Sequence, residues 1–207
     1  ANYKIDVLIL SWLSTPAEVG NYAIAVQLGE LLWQLPAAVL VVLMSKTANS
    51  KGNEIVGTLC KTTRLTLFIT VLSCIGLVGA SYFLIQPVFG AEFSSAFMML
   101  VSLSLGLVLA SVFKSINSYF AGKGNPYFTI KLMGAAVTLN VIFNYLLIPE
   151  YGGVGAGIAS TISYTFSAIG VLFALVKKEN IKFLDPIIVK REDFTPLIKK
   201  INQITNK

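Results

Sequence analysis

The chain has 207 residues, 55% of them hydrophobic and only 13% charged, with a net charge of +6. Soluble domains carry about 25% charged residues, and here residues 65–89, 93–113, 132–149 and 151–176 contain none. Apolar runs of about 18 residues or more cross a bilayer as helices, so the composition excludes an ordinary soluble domain, and the positive balance needs no nucleic acid to account for it. There is no histidine, which removes the commonest general base, the commonest zinc ligand and every Ser-His-Asp arrangement. No metal, cofactor or enzymatic activity is expected.

The reading is an all-α integral membrane bundle of six helices, with spans near 2–14, 20–45, 65–88, 94–121, 127–148 and 153–176. Residues 1–178 form the membrane lobe and 179–207 a tail. The first span begins abruptly. Only eleven uncharged residues, Val7 to Ala17, precede Glu18, about half a crossing at 1.5 Å per residue. With no initiator Met or signal peptide in view, the chain is read as starting inside a longer polypeptide. Asp6 lies within this span and Lys4 just before it.

In the second span Gln27, Glu30 and Gln34 share one helical face. Residues 51–64 mix Ile55, Val56 and Leu59 with polar groups and read as an interfacial helix extension. Cys60 and Cys74 are fourteen residues apart and read as small hydrophobes, not as a disulfide or metal pair. The fourth span carries Lys114 among Ser111, Ser115, Asn117 and Ser118. An ionisable residue at membrane depth marks a functional site by default, with snorkelling of the lysine to the interface as the plainer alternative.

The fifth span runs into the sixth through LNVIFNYLLIPEYGGVGAGIASTISY, residues 139–164. Asn140 and Asn144 are one turn apart, and an amide facing lipid is costly. They either hydrogen-bond another helix or line a polar cavity. GGVGAG is no phosphate loop, because it lacks the Lys-Ser/Thr of a P-loop and Ile158 stands where a final glycine would be needed. Gly153, Gly157 and Thr161 recur every four residues, as do Ala156 and Ser160, a spacing that lets helices approach closely in lipid. Pro149 and the glycines are expected to end one helix and open the next. In the tail, Phe194, Leu197, Ile198, Ile201 and Ile204 fall on one face of a basic amphipathic helix over 193–204, with Asp193 able to cap it.

Charge sets an orientation. Lysines and arginines cluster at 45–64, at 122–131 and from Lys177 onward, whereas Glu18, Glu92 and Glu150 stand in connections without a basic residue. The positive-inside rule puts the basic set in the cytoplasm, so both ends of the chain are expected there, in a multi-pass protein of the cell inner (cytoplasmic) membrane.

The 139–164 stretch resembles the signature of the polysaccharide-type flippases in the multidrug/oligosaccharidyl-lipid/polysaccharide (MATE-like) exporter superfamily. KIDVLILSWLSTPAEVGNYAIA (4–25) and FKSINSYFAGKGNPYF (113–128) are similar to two more of its stretches. Gly157 stands where that family usually has a second alanine. The resemblance covers residues 3 to about 176. It implies the second of two six-helix lobes that rock about a central cavity, with the N-terminal lobe of the same polypeptide as partner. The implied cargo is a polyprenyl-pyrophosphate-linked oligosaccharide, moved among membrane lipids to the outer leaflet for polysaccharide export. On this reading Lys4 and Lys114 attract the diphosphate, the amides Gln27, Gln34, Asn117, Asn140 and Asn144 line the cavity with Glu30, and Asp6 and Glu30 couple a proton or sodium ion. The alternatives are an ion-coupled multidrug antiporter of the same superfamily and a polyprenyl-phosphate-using membrane enzyme. Lys114 weighs against the first, and outer loops of a few residues weigh against the second.

Overall fold

The computed structural model describes residues 2–49, 54–124 and 126–194. Five helices follow in order: α1 (Asn2–Leu13), α2 (Pro16–Asn49), α3 (Glu54–Phe89), α4 (Ala96–Gly122) and α5 (Tyr127–Glu179). Single 3-10 turns lie at Ala91–Phe93 and Arg191–Phe194. The protein is an all-α membrane helical bundle, and stretches of three helices, Ile55–Phe89, Ala91–Gly122 and Tyr127–Glu179, are long and apolar enough to cross a bilayer. α4 is the central helix and packs against α2, α3 and α5, while α1 lies mainly on α5.

Burial follows from the solvent. α3 turns Leu72, Ile75 and Phe83 outward at 54%, 66% and 72% exposure. In water such a stripe would be a liability; in hydrocarbon it costs nothing. Without a hydrophobic drive between helices, the bundle depends on close packing and internal polar bonds. Close packing is clearest between α4 and the second half of α5. A Cβ on Gly106 would lie 2.6 Å from Thr161 Cα, and one on Gly157 would collide with Ser102 Oγ. Thr161 Oγ1 donates to the Ser102 carbonyl at 2.7 Å across the same seam. The four-residue spacing of small residues is thus the packing face against α4.

The expected break after Pro149 takes a different form. The chain stays helical through Pro149, and a single residue, Gly152, leaves helical geometry at φ 54°, ψ −135°. That left-handed φ favours glycine. The backbone N–H of Gly153, freed by the bend, donates to Glu18 Oε2 at 2.6 Å. Glu18 therefore caps the second half of α5 from the start of α2, where a carboxylate also meets the positive end of the helix dipole. Asn21, one turn on, ties the 91–96 turn to α2: its amide donates to the Glu92 carbonyl at 3.2 Å and accepts from Ala96 N–H at 2.9 Å.

Of residues 51–64, expected as an interfacial helix extension, the described ones, 54–64, are the first turns of α3. Beyond α5, residues 180–194 fold back onto them. The Arg64 guanidinium donates to both Asp193 carboxylate oxygens at 2.6 Å and to the Asp185 carbonyl at 2.7 Å. Phe68 and Phe194 meet edge to face at 5.7 Å. Asp193 is therefore a buried ion-pair partner; of the amphipathic helix expected over 193–204, residues 195–204 lie outside the described residues. The hydrogen bonds donated by the Arg64 guanidinium hold the Asp193 carboxyl below the ordinary carboxylate range.

Two outcomes follow from this packing. Gly157→Leu should overpack the α4–α5 seam and cost roughly 1–3 kcal/mol, seen as a lower unfolding temperature and folded yield of the full-length protein; unchanged values would make the glycines turn residues only. The Arg64–Asp193 pair should stabilise the protein fully above the ordinary carboxyl pKa of about 3.9 and lose that contribution as pH falls from there through the lowered folded value. Arg64→Ala should cost clearly more than the ~1 kcal/mol ceiling of exposed pairs and flatten that acid limb of the unfolding-temperature profile.

Candidate functional site

Two polar assemblies stand inside this apolar bundle. The first is built on Asp6, which is fully buried on α1. A lone carboxylate at that depth would be prohibitive, so its oxygens must be filled. Oδ1 accepts from the Asn144 amide at 2.7 Å. Oδ2 accepts from Ser160 Oγ at 2.6 Å and from the Tyr22 hydroxyl at 3.0 Å. Asn144 also donates to Asn140 Oδ1 at 3.2 Å, and Asn140 donates to Ser160 Oγ at 3.3 Å. One carboxylate thus joins α1, α2 and both halves of α5. The bend at Gly152 returns Ser160 to the height of Asn140 and Asn144.

Asn140 and Asn144, both 0% exposed, therefore make interhelical bonds. Of the two readings open for them, a bond to another helix and a cavity lining, the hydrogen bonds match the first: Asn144 donates to Asp6 and Asn140 to Ser160. Asn144 Oδ1 is buried and has no donor among the described residues.

The second assembly is a cavity of about 220 Å³ between α2, α4 and α5, lined by Trp33, Ala110, Phe113, Lys114, Met133, Ala136, Tyr164 and Ser167. Its walls are mainly apolar, and its one charge is Lys114. The Lys114 Nζ lies 3.4 Å from the centroid of the Trp33 ring, a cation–π contact. Among the described residues no carboxylate comes within 4.0 Å of it, the ion-pair distance, although Glu30 acts on it from farther off. Trp33 meets Tyr164 edge to face at 5.9 Å, and its indole N–H points at the Leu107 carbonyl at 3.5 Å. Lys114 does not simply snorkel away from protein: its ammonium rests against an aromatic wall.

The other expected residues do not line this cavity. Asn117 is half-buried and shares a shallower neighbouring depression with Lys114, Val41 and Met44. Glu30 is half-buried, and Gln27 and Gln34 are exposed on α2. Lys4 is exposed on α1 and contributes to neither assembly. Trp33, Tyr22, Ser160 and Tyr164 were not anticipated from the sequence. Trp33 is adjacent to the 27–30–34 face, so a polar stripe with an aromatic beside it was the available signal.

Comparison with known proteins identifies the setting of these assemblies. The family model described as "Lipid II flippase MurJ" matches residues 1–197. The chain belongs to the lipid II flippase MurJ family. It is similar to the Haloferax volcanii protein named "Probable low-salt glycan biosynthesis flippase Agl15", with 24% identity over 183 residues, 86% of this chain and 39% of that protein. It is also similar to "Probable flippase AglR" of the same organism, at 27% over 182 residues, 84% and 38% of the two chains. "Probable multidrug resistance protein NorM" of Streptococcus pneumoniae is 37% identical over 89 residues, 40% of this chain and 19% of that one. The MurJ-family chain spans about two fifths of the length of the two flippases it resembles. No solved structure matches it. The MATE-like flippase resemblance read from the sequence is borne out.

Proposed function

We propose that this chain is the second lobe of a two-lobed flippase that carries a polyprenyl-pyrophosphate-linked oligosaccharide across the cytoplasmic membrane for polysaccharide export. The observation that carries the reading is Lys114, a half-buried ammonium without an acid at ion-pair distance among the described residues, in a cavity inside a membrane bundle. A sugar–diphosphate head cannot enter hydrocarbon bare. It needs a site that replaces water, and a cation in a low-dielectric cavity attracts a dianion more strongly than an exposed cation does. Glu30, Gln27, Gln34 and Asn117 give the adjoining surface the amides and hydroxyl-binding groups that a glycan requires, and Lys4 adds positive charge on α1.

In this reading both ends of the chain are cytoplasmic, the N-terminal lobe of the same polypeptide completes the cavity, and the lobes rock to open it alternately. Asp6 is the coupling group, with Glu30 as the second. The Asp6 carboxyl accepts from Asn144, Ser160 and Tyr22, and the assembly keeps an undonated acceptor on Asn144. A proton or a sodium ion supplies a positive partner, and its arrival or loss changes the strength of the α1–α5 tie.

A second reading, ion-coupled export of cationic drugs, is favoured by the likeness to NorM. Lys114 separates the two, since a cationic cargo is repelled where a diphosphate is held. Lys114→Ala in the full-length parent should lower rescue of surface polysaccharide in a flippase-deficient strain by about tenfold or more. Lys114→Arg should keep part of the activity, because charge is the first requirement and head-group geometry the second. Full rescue by Lys114→Ala at normal expression would exclude a cationic cavity, and a gain in drug resistance alongside it would favour the second reading.

A further inference from the structure

We propose that Trp33 is a sugar-positioning residue whose ring face is held by Lys114 until a diphosphate arrives. The inference rests on the diphosphate role of Lys114 and extends it to the part of the cargo that Lys114 cannot read.

The geometry supplies each step. The Lys114 ammonium sits 3.4 Å from the Trp33 centroid, so it covers the centre of the ring face and not its edge. Trp33 is half-buried and lines the same cavity as Lys114. The ring itself is fixed: Tyr164 meets it edge to face, its N–H points at the Leu107 carbonyl, and Gly29, one turn before it, lies so close to α4 that a Cβ there would be 2.6 Å from Leu107 Cδ1. The lysine is the movable partner, with a flexible four-carbon stem, and the indole is the rigid one.

A ring quadrupole attracts an ammonium more weakly than two phosphate charges do at contact. A diphosphate entering the cavity therefore draws Lys114 off the indole. The uncovered face is flat, electron-rich and bordered by Tyr164, which suits the C–H face of a pyranose ring. Lys114 thus acts as a cover that only an anionic head removes, and Trp33 offers its face only to a cargo that carries both parts. A bare polyprenyl pyrophosphate would release the lysine and leave the indole unused.

The experiment measures binding to the full-length protein in nanodiscs, using polyprenyl pyrophosphate either bare or carrying a disaccharide. The native protein should bind the glycosylated lipid about three- to tenfold more tightly than the bare one, the scale of one aromatic face contact. Trp33→Leu should abolish that preference while binding the bare lipid at least as well as the native protein, since no ring then competes for Lys114. Trp33→Phe keeps a ring in the same space, guards against a folding failure, and should retain part of the preference. Lys114→Gln should weaken both ligands. If Trp33→Leu keeps the preference, or if it weakens both ligands while Trp33→Phe restores them without any preference for sugar, Trp33 only shapes the cavity and the inference falls while the Lys114 reading stands. If Lys114→Gln weakens neither ligand, the diphosphate reading itself falls and takes the inference with it.

Discussion

A carboxylate enclosed in an apolar bundle governs the arrangement of everything around it. Asp6 is reached by donors from Asn144, Ser160 and Tyr22, and each must arrive from a different helical segment. α1 has only 12 residues, and it is fixed to the rest chiefly by packing on α5 and by these bonds. In lipid, where apolar contact alone gives little preference for one helix neighbour over another, a satisfied buried charge gives direction. The wrong partner helix would leave the carboxylate unfilled.

The rest of the fold brings those donors to one height. Gly152 turns α5 so that its second half runs beside its first, and Glu18 caps the new start through Gly153. Small residues at 153, 157 and 161 let that second half press against α4. α4 in turn carries Lys114 to the wall formed by Trp33 and Tyr164. The cavity and the Asp6 assembly are therefore separate in space but share α2 and α5. A change in the α1–α5 tie acts on helices that also line the cavity, which is a physical route for coupling.

Much of this architecture was legible in the sequence, because charge-free runs and small-residue spacing are local signals. The helices, the small-residue packing face and the singling out of Asp6, Lys114, Asn140 and Asn144 as polar groups at membrane depth all came from residues close together in the chain. Partnerships were not legible. Asp6 meets Asn144 and Ser160 across 138 and 154 residues, and Arg64 meets Asp193 across 129. No periodicity encodes such pairs. The same blindness left Asn140 and Asn144 between a bond to another helix and a cavity wall, and passed over Trp33, whose meaning depends on a lysine from another helix.

The central claim is that the Asp6 carboxyl, through the hydrogen bond it accepts from the Asn144 amide, holds α1 to α5. Exchanging the two groups tests it most directly. Asp6→Asn leaves the cluster without its carboxyl, and Asn144→Asp sets two buried carboxylates against each other. The double change, Asp6→Asn with Asn144→Asp, restores one carboxylate and one amide in reversed places. Unfolding of the full-length protein should show each single change as destabilising and the double change as regaining most of the loss, with a coupling energy of about 1–3 kcal/mol. Losses that simply add would mean that the two side chains act independently, and that the Asp6 assembly does not hold the lobe together.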